Sequence, residues 1–235
     1  MNESRRVSRR RLTLIGGGLG FAALATAGVG VAVLPHGSEP SPAATVLSSH
    51  RSTPTVAAVP ETPAEFTTLD FSTASEAVQQ QMAYVLSYWH TPNENVYGFI
   101  DEFDCMNFAS QALLARGWTT DDIWWPEPTG DAVNSSMAWI SSTAFMEYLS
   151  EHPKLATPLT DASRSQLAVG DIVQFDWDNS GDRDHTGIVT RLDTDASGKV
   201  TVYYAGHTDN TLVRSVDWAI TVLHPGATAT YWHLN

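Results

Sequence analysis

The residues that could do chemistry gather in two places. One is Asp104-Cys105-Met106-Asn107-Phe108-Ala109-Ser110-Gln111, which holds the only cysteine of the chain. Here an acidic loop (Asp101, Glu102, Asp104) gives way to residues at helical spacing. A thiol attacks as its thiolate, and a helix N-terminus favours that form through unpaired N–H groups and the positive end of the helix dipole. Cys105 is therefore a candidate nucleophile in the first turn. Asp104 is expected as N-cap, its carboxylate directed at the N–H groups two and three residues on. The amides of Cys105 and Met106 would then serve an oxyanion. The alternative is a structural cysteine, since unreactive cysteines are common in cores.

The second place is a pair of histidines. Of eight in the chain, His36 and His50 precede the domain, His90 and His152 follow helices beside Pro-containing turns, His224 precedes Pro225, and His233 is almost terminal. His185 and His207 remain, at the start of one expected strand and the end of the next. A turn through Asp193–Lys199 centred on Ala196 sets His185 opposite His207, Gly187 opposite Ala205 and Val189 opposite Tyr203, all on one face. On that face, with small residues for close approach, the Cys105 helix is expected to dock. Cys105, His185 and His207 then form nucleophile, base and orienting partner. A register slipped by two brings Asp209 opposite His185 instead, and a slip by one turns the second set away.

One more pattern precedes His185. Asp176-Trp177-Asp178-Asn179-Ser180-Gly181-Asp182-Arg183-Asp184 places oxygen groups at Asp176, Asp178, Ser180 and Asp184 with Gly at position six, as a calcium loop does. Position twelve is Gly187, so the usual bidentate Glu is missing and a solvated acidic turn competes with structural calcium. No other cofactor is indicated. Trp124, Trp125 and Tyr97 line a substrate groove or, as large aromatics more often do, fill the core.

The elements that must position these residues follow from periodicity. Thr73-Ala74-Ser75-Glu76 is a capping-box pattern before a helix from Ala74 to about Trp89. The Cys105 helix buries Phe108, Ala109, Ala112 and Leu113 and stops at Gly117. A third helix runs from about Ser141 to Glu151. Ile172–Phe175, His185–Leu192, Val200–His207, Leu212–Val216 and Thr228–Leu234 then read as short strands joined by Asp/Gly/Ser turns. Helices first and strands afterwards indicate an α+β fold, with N-terminal helices packed on an antiparallel β-sheet.

Ahead of the domain, residues 1–34 carry Arg9-Arg10-Arg11 before an uncharged Gly/Ala-rich apolar run. This reads as a twin-arginine-type export signal or a membrane anchor, and either reading gives one orientation, with the N-terminus inside and the rest outside. Residues 35–68, rich in Pro, Ser, Thr and Ala, read as a disordered linker. The domain, residues 69–235, carries seven Lys/Arg against twenty-two Asp/Glu, a net charge of −15. Such a surface repels phosphate backbones, so no nucleic-acid partner is expected. One cysteine excludes an internal disulfide. A monomer is expected, touching a membrane only through its N-terminal segment.

Asp104-Cys105 followed by Asn-Phe-Ala-Ser-Gln, the Trp124-Trp125 pair, Trp139, Leu167-Ala168-Val169-Gly170-Asp171-Ile172-Val173-Gln174-Phe175 and Asp184-His185-Thr186-Gly187-Ile188-Val189 together resemble the bacterial "putative amidase domain" family. That family is a branch of the papain-like cell-wall hydrolases, with NlpC and CHAP relatives. The resemblance spans about Thr73 to Leu234. It implies a papain-like fold, Cys105 as nucleophile, His185 as base and a third residue that varies within the superfamily, which leaves His207 or Asp209 for that role. The expected activity is hydrolysis of an amide bond in peptidoglycan or another peptide substrate, as endopeptidase or amidase. Two rivals stand beside it: a non-catalytic wall-binding or calcium-stabilised module of the same fold, and a thioester-forming acyltransferase.

Overall fold

The computed structural model describes residues 69–235; the expected signal or anchor (1–34) and linker (35–68) lie outside the described residues. Helix α1 spans Glu76–Tyr88 and turns Val78, Gln81, Met82 and Val85 inward. Its N-cap is Ser75, whose hydroxyl accepts the Val78 N–H, so the start lies two residues beyond the expected Thr73 box. After a short α2 (Glu94–Tyr97), helix α3 runs Cys105–Ala115 and stops before Gly117, whose φ of +105° suits glycine. Every residue from Cys105 to Leu113 is buried, which makes α3 the central helix. The single turn α4 (Met137–Ile140) and α5 (Ser142–Glu151) follow; Ser141 caps α5 by accepting the Ala144 N–H. Among the described residues no helix is long and apolar enough to cross a membrane.

Six strands follow, β1 (Ala156–Leu159), β2 (Ile172–Asp176), β3 (His185–Thr194), β4 (Val200–Gly206), β5 (Thr211–Ser215) and β6 (Thr228–Leu234). A one-turn helix α6 (Val216–Trp218) separates β5 from β6. They pair antiparallel in the order β1-β6-β2-β3-β4-β5. The α+β class with helices on an antiparallel sheet is thus established. Strand β1 has no periodicity to announce it: it is four residues long and contains Pro158, which is tolerated at the sheet edge it occupies. One face of the sheet, through Ile172, Ile188, Ala205, Trp232 and Leu234, packs with α1, α3 and α5. The other carries a second core of Val173, Phe175, Val189, Val202, Tyr204 and Tyr231.

The β3–β4 register differs from the expected one. Ile188 pairs with Ala205 and Val189 with Tyr204, and after a bulge at Thr190 the pairing continues as Arg191 with Tyr203. The turn is tighter than the expected seven residues. Asp195 accepts the N–H groups of Ser197 (2.8 Å) and Lys199 (3.0 Å), which closes a five-residue loop over Gly198 at φ +85°. The Thr190 hydroxyl donates to the Leu212 carbonyl at 2.8 Å, anchoring the bulge to β5. The consequence is the slip by one. His185 and His207 do not face each other, and Gly187 lies against Tyr204 on the second core rather than under α3, where a Cβ would meet Tyr204 Cδ2 at 2.4 Å.

Candidate active site

Cys105 opens α3 with its side chain buried between that helix, α5 and β3. Its Sγ lies 3.7 Å from the Ser142 Oγ at the start of α5. The backbone N–H groups of Thr186 and Met106 are also turned toward the sulfur. Burial pushes the Cys105 thiol above its ordinary value; the Ser142 contact and the two N–H groups pull it back, and the Asp104 charge adds to the rise. A neutral resting thiol therefore needs a base to remove its proton.

Asp104 does not cap α3 through its side chain. Its carboxylate accepts instead from the Ile100 N–H (3.0 Å), the Asn107 side-chain amide (2.8 Å) and His207 Nδ1 (2.6 Å). Asp104 and His207 are each only 1% exposed, so this is a fully desolvated pair that stays in place because every partner is satisfied. His207 stacks on Phe108 with ring centroids 4.0 Å apart, and its Nε2 meets the Tyr88 carbonyl at 2.7 Å. That arrangement ties α1 to the start of α3.

His185 begins β3 beside Thr186, one residue from the N–H that reaches the sulfur. Its ring packs with Trp177 (5.7 Å, stacked), Phe175 and Tyr204, and makes no hydrogen bond to Cys105. Burial, with a further push from the Arg214 charge and partial opposition from Asp209, holds His185 down to about 4. The imidazole is therefore neutral at ordinary pH and open to a proton. Asp209, the alternative third residue, is paired with Arg214 at 2.5 Å.

The polar members of the cysteine stretch are engaged in holding the helix. Asn107 accepts the Trp139 indole N–H (2.8 Å), Ser110 receives that of Trp124 (3.0 Å), and Gln111 accepts the Tyr84 hydroxyl (2.5 Å). Trp124 is fully buried core, while Trp125 is half-buried and Tyr97 stacks on Trp139. Ser142 and Thr186, which meet the sulfur through a hydroxyl and a backbone N–H, are not singled out by the sequence, although Thr186 lies within the Asp184–Val189 motif. The signal that points to them is Gln174, a buried amide flanked by Ile172, Val173 and Phe175, because a buried amide requires partners.

In the acidic loop, Asp176, Asp178, Asp182 and Asp184 each place an oxygen within 4.8 Å of the others. Ser180 donates its hydroxyl to Asp182 (2.6 Å), and Asp176 accepts the N–H groups of Ser180 and Gly181 and lies 3.7 Å from Arg183. Internal donors thus account for the shape of this turn.

No match was found to a curated protein or to a solved structure. A family model described as "Putative amidase domain" matches residues 75–232, from the cap of α1 through the last core tryptophan of β6. Both Cys105 with its surrounding groups and the sheet that backs them fall within that span, and the chain belongs to this family.

Proposed function

We propose that the protein is an exported cysteine hydrolase that cleaves an amide bond in peptidoglycan, between stem-peptide residues or at the sugar–peptide link. The observation that carries the reading is the Cys105 sulfur at the start of a buried helix, met by two backbone N–H groups and a hydroxyl. His185 takes the thiol proton as sulfur attacks the carbonyl carbon. The C=O electron pair becomes an oxyanion, held by first-turn amides at the positive end of α3. On collapse the C–N bond breaks and His185 returns the proton to the leaving amine. Water, deprotonated by His185, then cleaves the thioester, releasing the carboxylic acid and restoring the thiol.

His185 is neutral at rest, but its ring lies with Phe175, Trp177 and Tyr204 on the face of the sheet away from α3, so this step requires the start of β3 to rearrange when substrate binds. His207 acts in this scheme through Asp104, holding the entry to α3. Export by the N-terminal segment brings the domain to the wall.

The test is mass spectrometry of fragments released from purified peptidoglycan by wild type, Cys105→Ala and His185→Ala. Loss of cleavage by at least about a thousandfold in both variants is expected for a nucleophile and its base. Full activity of Cys105→Ala sinks the mechanism. Transfer to an added amine in preference to water would reassign the enzyme as an acyltransferase.

A further inference from the structure

Behind the sulfur, the buried side chains of Ser142, Thr186, Gln174 and Trp232 form a hydrogen-bonded series. All are at most 6% exposed. The Trp232 indole N–H donates to Gln174 Oε1 at 2.9 Å. An indole N–H can only donate, so this contact fixes which end of the Gln174 amide is the oxygen. Gln174 Nε2 then donates to the Ser142 carbonyl (2.7 Å) and to Thr186 Oγ1 (3.3 Å). Thr186, already an acceptor, donates its one hydroxyl proton to Ser142 Oγ at 2.8 Å. Ser142, in turn an acceptor, has the Cys105 sulfur 3.7 Å away for its own proton.

We propose that this series is a one-way hydrogen-bond relay whose final donor, the Ser142 hydroxyl, stabilises the Cys105 thiolate. The donor sense is set at Trp232 and passes through the side chains of Gln174 and Thr186, which position the last donor; of these four side chains only that of Ser142 touches the reacting atom. Each hydroxyl polarised by the one behind it is a better donor to the next. The burial that makes the thiolate costly also makes a hydrogen bond to it stronger. The sequence stretch around Cys105 supplies the helix dipole, and the sheet supplies this second source of stabilisation. The role deepens the reading of Cys105 as nucleophile and rests on it.

Because the chain has a single cysteine, the pH profile of alkylation by iodoacetamide reads Cys105 alone. The midpoint of that profile reports ionisation, and its plateau reports access. Ser142→Ala and Thr186→Val should each raise the midpoint, lowering the thiolate fraction at a given pH by about tenfold for the former and less for the latter. In a series, the last donor subsumes those behind it, so the double variant should match Ser142→Ala alone. Thr186→Ser, which restores the hydroxyl, should return the wild-type midpoint. The charged and titratable neighbours Asp104, His207 and His185 are common to all variants, so their influence cancels.

An unmoved midpoint in Ser142→Ala, or a double variant shifted well beyond it, overturns the relay. Should Ser142→Ala fail to fold, Thr186→Val against Thr186→Ser carries the same decision: a shared midpoint overturns the relay, and a raised one for valine alone supports it. These readings are of ionisation, so they stand whether or not Cys105→Ala abolishes hydrolysis.

Discussion

Asp104 is the residue whose role the structure redefines most. Its charge opposes the neighbouring thiolate, yet its carboxylate collects three donors that fix the start of α3. Asp104→Asn removes the charge from a desolvated pair and should cost roughly 2–4 kcal/mol in urea denaturation. The same variant should lower the midpoint of Cys105 alkylation. A stability loss below about 1 kcal/mol would place the pair with ordinary surface contacts and defeat the assignment. His185 makes a different prediction. The unfolded chain protonates near the ordinary value of 6.5, but the folded ring does so only near 4, so its neutral burial favours the fold fully above about pH 6.5. As pH falls from 6.5 to 4, unfolding takes up a proton and about 3 kcal/mol is lost. In melts across that range, His185→Asn should show a shallower loss than wild type; parallel curves would rule out a buried neutral imidazole.

At the scale of elements, the β3–β4 hairpin decides what each histidine can reach. Its register predicts that Gly187→Ala destabilises the domain by about 1–3 kcal/mol, because the added Cβ meets the fully buried Tyr204 ring. A neutral outcome in a calorimetric scan would favour the register that places Gly187 under α3. Much of the secondary structure was legible in the sequence. The stripe of α3, the span of α5 and five of the six strands depend on local period and turn residues, which a sequence displays. The hairpin register was not, because it is set by a side-chain-tied turn at Asp195 and a bulge at Thr190 that reaches across to β5. Asp104 misled for a related reason. An aspartate before a helix is ordinarily a cap, but here His207, from the turn after β4, competes for the carboxylate and wins. The relay was visible only as the oddity of Gln174 within an apolar run.

For the whole molecule, charge is the dominant surface property. The domain's net charge of −15 opposes approach to an anionic wall polymer. Salt screens such repulsion, with a Debye length of about 10 Å at 0.1 M. Binding to purified walls in a sedimentation assay should therefore increase as ionic strength rises; a decrease would indicate a local basic footprint that outweighs the total. A cavity of about 610 Å³ lined by Trp118, Asp121, Tyr148 and His152 lies at the C-terminal ends of α3 and α5, and Cys105 lies at the opposite end. The strand order also has a consequence in time. Strands β2 to β5 form a run of neighbours in both sequence and space, whereas β6 must return from beyond that run to seat itself between β1 and β2. Pairing of sequence neighbours closes short loops and is fast; the return of β6 closes a long one and is slow. Trp232 travels on β6, so a chain with its meander formed but that strand undocked holds a cysteine whose neighbouring hydroxyl has no settled direction. On this order of closure the direction of the Ser142 hydroxyl is set last, after the strands that carry Gln174 and Thr186 are already paired.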